Sequence, residues 1–334
     1  MIRCLLSQRP LDHRGKILFA VASGEDLTKL ELRRRTGLSM STVISCVDEL
    51  KAEGILSLEQ ERVKRGGKPH SVINVRGDKC VYGISYKSGT LTALAVDLKG
   101  EKVEEIVAET AESTPPAQQV ISLAVALGKK SPSPLAVALA LNCEERESIL
   151  RALEERLRAK VLSTTNTAAL AYRAFWQGSL LPVVAVGVGS GIKCACLERE
   201  GCRVVDLGDL ASSAAFTGEG SYRALLSASR VERRLRLADF RGQYEITEEG
   251  AAETKEVGSY SRSLARALAS LTEIAERMYS PQELLLFGEY ITQGFFDRIL
   301  SYSRVGKKVK REEGDRADFA FGAAVVALVE GVFS

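Results

Sequence analysis

Histidine is nearly missing from this chain: its 334 residues include two, His13 and His70. Everything after residue 70 therefore lacks the imidazole that a Ser-His-Asp or Cys-His arrangement needs to activate its nucleophile, and those chemistries are excluded there. Long apolar runs are missing as well. The opening Met1–Leu6 stretch is too short for a secretion signal, and the apolar stretch near the C-terminus is broken by Glu330. The expected location is cytoplasmic, with no membrane partner. The seven cysteines are odd in number and scattered, which reads as free thiols rather than a disulfide framework.

A strong net charge is absent too, but the total of +3 hides a division. Residues 1–76 hold 14 Lys and Arg against nine Asp and Glu, whereas the rest holds 32 against 34. A basic head on a slightly acidic body points to nucleic acid at one end. Hydrophobic residues at 45% and charged residues at 27% are ordinary for a globular protein, and the length suits two or three domains.

The head reads as three short helices. His13–Ala22 has apolar residues at helical spacing and closes at Gly24. Thr28 with Glu31 three residues later forms a capping box for the second helix, which Gly37 ends. Ser39 caps the third, which runs to Gly54 and places Val43, Val47 and Leu50 on one face. On the other side stand Ser39, Met40, Ser41, Thr42, Ser45 and Cys46, short side chains suited to base edges in a major groove. A strand from Ile55 to Glu59 follows, then a basic turn with Arg65, Gly66, Gly67 and Lys68, then the strand His70–Val75. Such a wing brings charge to phosphates or the minor groove.

These runs, TGLSMSTVISCVDELKAEGIL, GGKPHSVINV and the following CVYGISYKSGTLTALAVDLKG, together resemble the ROK family, which groups bacterial repressors with sugar kinases. The resemblance extends along nearly the whole chain. It implies an α/β architecture: a winged helix-turn-helix domain over residues 1–76, then a two-lobed actin-like (ribonuclease H-like) ATPase fold over 77–334. The first lobe would span about 77–165 plus 316–334, and the second about 166–315. It also implies a homodimer or homotetramer acting on double-stranded operator DNA.

The residues that the family uses for catalysis are changed. Its first phosphate loop, Asp-x-Gly-Gly-Thr, falls on Ser85, Lys87, Ser88 and Gly89, so the acid is gone and a lysine stands where backbone should approach the nucleotide. Its Asn-Asp-x-Asn segment falls on Ser163–Asn166, where Thr164 cannot accept a proton at neutral pH and Asn166 alone remains. Its sugar- and zinc-binding Gly-Glu-Ile-Gly-His is closest to Val205-Asp206-Leu207-Gly208-Asp209, and the cysteine cluster expected next is replaced by LASSAAFTGEGSYRALL. Glycines of two later loops, among them Gly189 and Gly288, persist. Between Leu139 and Glu155 the chain is shorter than the family pattern.

Cys194, Cys196 and Cys202 alternate in a way that suggests a metal, but three thiols without a histidine do not complete a tetrahedral site, and buried strand cysteines fit better. The arginine-rich stretch Arg230–Arg241 fits an exposed amphipathic helix better than an anion cleft. The resulting expectation is a non-enzymatic transcriptional regulator, a repressor by the family's habit, with no cofactor and no metal. Its candidate effector cleft would gather Ser85, Lys87, Thr164, Asn166, Gly189, Asp206, Asp209 and Gly288 between the lobes. A divergent sugar kinase is the rival from another class, and a pure assembly module is a third.

Overall fold

The structure, a computed structural model, describes residues 8–24, 27–61, 70–87, 89–111, 113–131, 134–141, 146–188, 192–207, 255–288, 291–304 and 308–334. The wing tip with Arg65, Gly66, Gly67 and Lys68, the loop residues Ser88, Gly189 and Asp209, and the stretches LASSAAFTGEGSYRALL and Arg230–Arg241 lie outside the described residues. The chain divides into two compact units, Met1–Ala169 with Arg316–Ser334, and Leu170–Asp315.

The first unit begins with helices α1 (His13–Ala22), α2 (Lys29–Thr36) and α3 (Met40–Ala52) and an antiparallel hairpin of β1 (Leu56–Glu61) and β2 (His70–Val75). Local chemistry sets each boundary. The Thr28 hydroxyl accepts from the Glu31 amide while the Glu31 carboxylate accepts from the Thr28 amide, satisfying two donors that a helix start leaves open. The same bonds hold the Glu31 carboxyl below its ordinary range. Gly37, at φ 72°, supplies the left-handed residue that stops α2. Ile17, Leu18, Leu32, Val43, Val47, Leu50 and Ile73 close a core between helices and hairpin, and Leu27 bridges to Ile73.

Next comes a five-stranded sheet in the order β5-β4-β3-β6-β7. Strands β3 (Cys80–Lys87), β4 (Thr90–Asp97) and β5 (Lys102–Glu109) form an antiparallel meander, and β6 (Pro134–Ala140) and β7 (Lys160–Thr164) extend it in parallel. Asp97 turns the chain between β4 and β5 by accepting from the amides of Lys99 and Glu101. One face is covered by α4 (Pro116–Lys130) and α5 (Arg146–Leu157), which bury Val120, Leu127, Ile149 and Leu153 against Ile84, Leu91 and Leu139.

The other face receives α9 (Arg316–Val326), continued by a π-helical turn, Ala327–Val332. Here the approach is backbone to backbone. A Cβ on Gly83 would stand 2.0 Å from the Ala320 carbonyl oxygen and 2.3 Å from the Ala324 nitrogen, so only glycine fits. The buried alanines at 320, 323 and 324 give the helix the flat side this demands.

The same C-terminal segment also holds the head. The Phe333 ring packs edge-on to Phe19 at 5.4 Å, Arg9 pairs with Glu330, and a Cβ on Gly15 would fall 1.8 Å from the Phe333 carbonyl oxygen. The second unit contains a sheet in the order β10-β9-β8-β11-β12, made of β8 (Val183–Val188), β9 (Ile192–Leu197), β10 (Cys202–Asp206), β11 (Glu283–Gly288) and β12 (Val309–Arg311). Helix α6 (Asn166–Trp176) leads into it; α7 (Lys255–Tyr279) and α8 (Gln293–Tyr302) complete its core through Leu268, Leu271, Phe295 and Ile299.

Phe333 is 2% exposed and contacts a ring 314 positions away in sequence. Phe333→Ala is expected to cost about 3–5 kcal/mol in urea unfolding, whereas Leu180→Ala, at a half-exposed position, is expected to stay within about 0.5 kcal/mol.

Candidate functional site

Three sets of expected residues fall in the first unit: on α3, at the β3–β4 hairpin, and at the end of β7. On α3, Ser39 is the N-cap: its hydroxyl accepts from the Thr42 amide at 3.1 Å and also meets the hydroxyls of Ser41 and Thr42. Ser41 and Ser45 are exposed, and Met40 and Thr42 are half-buried. The Ser45 hydroxyl donates to Glu49 at 2.8 Å.

Cys46 departs from expectation. It is 8% exposed and lies on the buried stripe with Val43, Val47 and Leu50, so it faces the head's core rather than the outer side. Positions 43, 46, 47 and 50 share one helix face, and a thiol behaves there as a small apolar group. Burial also pushes the Cys46 thiol upward.

The outer face carries a residue that the sequence reading passed over. Ile44 is 40% exposed between Ser41 and Ser45, an apolar side chain among hydroxyls. The preceding helix, α2, ends in Arg33, Arg34 and Arg35, all exposed. The exposed residues of these two helices thus include three guanidinium groups, short hydroxyls and one branched apolar side chain. Guanidinium groups suit phosphate oxygens, and an apolar tip among hydroxyls suits the mixed edge of base pairs, including the thymine methyl. Arginines in a helix's last turn also complement its dipole.

At the hairpin, Gly83, Ser85 and Lys87 alternate along β3 and all face α9. Ser85 is 1% exposed and donates to the Arg316 carbonyl at 3.3 Å. The Lys87 ammonium lies over the Phe319 ring, 5.2 Å from its centre. Two positions at which this hairpin departs from a phosphate loop therefore hold the C-terminal helix. Ser85, expected at a ligand cleft, is instead buried under that helix.

Asn166 donates its amide to the Tyr86 carbonyl at 3.1 Å, and its Oδ1 is buried with no hydrogen-bond partner. Thr164, at the end of β7, is half-buried. In the second unit Asp206 is exposed at the end of the edge strand β10, opposite Lys193. Gly288 sits where a Cβ would come 2.6 Å from the Val188 carbonyl oxygen, so the meeting of β11 and β8 accounts for the glycine.

Cys194 and Cys196 are buried on β9, and burial raises both thiols to about 12. Among the described residues no group of three or more metal-type side chains gathers, and no helix is long and apolar enough to cross a membrane.

Neutral thiols buried this deeply are unreactive. At pH 8, iodoacetamide is expected to leave Cys194 and Cys196 unmodified in the native protein and to label both in urea, as read by mass spectrometry. Because the folded values are raised, the stability these thiols contribute is complete below about 8.5, the usual free-thiol value. It is lost as pH rises toward 12.

The chain is similar in structure to a ROK family transcriptional regulator, a homologue of the E. coli MLC protein. The TM-score is 0.65 at 14% identity, over 96% of this chain and 98% of that one. It is also similar to a ROK hexokinase from Thermus thermophilus, with a TM-score of 0.59 and 17% identity over 75% of this chain and 98% of that one. A ROK family protein from Streptococcus pneumoniae TIGR4, solved in complex with sucrose, gives 0.56 and 15% over 75% and 98%. No protein-family model matches the sequence, and no curated protein does. The fold is thereby the mixed α/β, actin-like fold of ROK structures.

Proposed function

We propose that the chain belongs to the ROK family and is a DNA-binding transcriptional regulator, a repressor that reads two operator half-sites as a homodimer. In this reading the first three helices and hairpin are a winged helix-turn-helix. The observation that carries it is exposure: Arg33, Arg34 and Arg35 on α2 and Ser41, Ile44 and Ser45 on α3 all stand outside the head's core. Helix α3 would enter the major groove by its N-terminal end, with Ser41 and Ser45 hydrogen-bonding base edges and Ile44 meeting a thymine methyl. The arginines would fix register on the phosphates, and the wing would add Arg65 and Lys68 along the backbone.

The share of the chain covered supports the same reading. The similarity to the regulator takes in 96% of the chain, whereas that to the hexokinase takes in 75%, a share about the size of the portion that follows residue 76.

The rest of the chain would serve as the assembly and sensing part of a regulator whose phosphoryl-transfer chemistry has lapsed. A sugar kinase needs a carboxylate to take the hydroxyl proton, and the end of β7 offers Thr164 and Asn166. It also needs an open phosphate loop, and the β3–β4 hairpin commits Ser85 and Lys87 to α9. The likeness to the hexokinase keeps the kinase as the second reading, with Asp206 as its available acid.

The test is a salt titration of the full chain against DNA from upstream of its own gene, with an unrelated fragment as control. Selective binding that weakens steeply with salt is expected. Arg34→Ala should lower the slope of log affinity against log salt by about one on both DNAs, while Ile44→Ala should cost roughly 1–3 kcal/mol on the selected DNA alone. Equal, weak binding to both fragments, together with ATP turnover on a hexose that Asp206→Asn abolishes, would replace the regulator by the kinase.

A further inference from the structure

The sheet face opposite α9 contains a cavity of about 390 Å³, within the ~300–1,000 Å³ range of small-molecule sites. It lies wholly in the first unit, and none of the residues proposed above for DNA or an effector lines it. Its floor is Leu91, Val120, Leu141 and Ile149, side chains of the sheet, of α4 and of α5. The geometry points to a binding site for an uncharged, mainly apolar small molecule carrying one or two hydrogen-bonding groups.

Three observations carry this. The described lining contains no charged residue, so none of these side chains would offset the desolvation of a phosphate, a carboxylate or an ammonium group. The walls are fixed before a ligand arrives. Gln119 staples the loop ahead of α4 by accepting from the Ala111 amide at 2.9 Å and donating to the carbonyls of Ala111 at 2.9 Å and Thr114 at 2.6 Å. On the other side, the Thr110 amide and hydroxyl both donate to the Gly89 carbonyl, at 2.7 and 2.8 Å. A preformed wall spares a ligand the cost of ordering it.

The third observation is how few polar groups these bonds leave. The Gln119 amide and the Thr110 hydroxyl are already engaged as donors, so the hydroxyls of Tyr86 and Thr114 are the side-chain donors that the described lining leaves for a ligand. A sugar, with a hydroxyl on nearly every carbon, would bury most of its donors unpaired on an aliphatic floor. An aryl or alkyl compound with one hydroxyl or carbonyl at the Tyr86 rim matches what is present. As the effector seat of the proposed regulator, the cavity rests on that reading; as a binding site, it does not.

The experiment titrates the full chain, without DNA, with N-phenyl-1-naphthylamine, an uncharged aromatic amine whose fluorescence rises on leaving water. A saturable, single-site rise is expected, unaffected by excess glucose 6-phosphate and displaced by 1-naphthol. Thr114→Trp, at the half-buried rim, should weaken the affinity at least roughly tenfold with the melting temperature retained. If Thr114→Trp melts early, Ala111→Trp plugs the cavity from an exposed lining position and should do the same. No saturable rise, equal affinity in a folded plugged variant, or displacement by glucose 6-phosphate would overturn the site. Since DNA takes no part in the assay, failure of the DNA-binding reading leaves either result standing.

Discussion

The backbone of the C-terminal helix α9 lies directly on strand β3, and no side chain at position 83 holds it off. That contact is a steric requirement rather than one favourable bond: with the Ala320 carbonyl 2.0 Å from where a Cβ would be, any other residue would lift the helix from the sheet. The rest of the first unit is arranged around it. Ser85 and Lys87, the next two residues on the same strand face, hold Arg316 and Phe319, the first turn of the same helix. The far end of the segment then reaches α1 through Glu330 and Phe333. A single stretch of chain thus fastens the basic head to the sheet that carries the β3–β4 hairpin.

Much of the head was legible because its signals are local. The Thr28 and Glu31 pair, Ser39 and Gly37 each act within one helical turn, and each acts in the structure as its chemistry dictates. The hairpin of β3 and β4 was legible for the same reason, from alternation and a glycine turn. What escaped depends on partners far along the chain. Nothing near Ser85 announces that its hydroxyl will meet a carbonyl 231 positions later, and nothing near Phe19 announces Phe333.

Two residues were misjudged for a different reason. Cys46 was grouped with the hydroxyls because of its size, yet its spacing from Val43 and Leu50 placed it on the buried stripe, and a thiol loses little on leaving water. Ile44 was assigned no role, although its position between Ser41 and Ser45 put it outside. Helical phase, applied to every residue of α3, would have placed both. The cavity under α4 and α5 was not legible at all, since its described lining comes from β3, β4, α4, α5 and the Gln119-stapled loop, which are far apart in sequence.

In the proposed regulator, selection of particular DNA sequences falls to the surface of α2 and α3. It is tested most directly by incubating the purified chain with sheared genomic DNA and sequencing the retained fragments. A sequence-reading homodimer is expected to enrich a few fragments sharing a two-fold symmetric site, with half-sites one helical turn or a small multiple apart. Retention that follows fragment length alone, with no shared sequence, would contradict it.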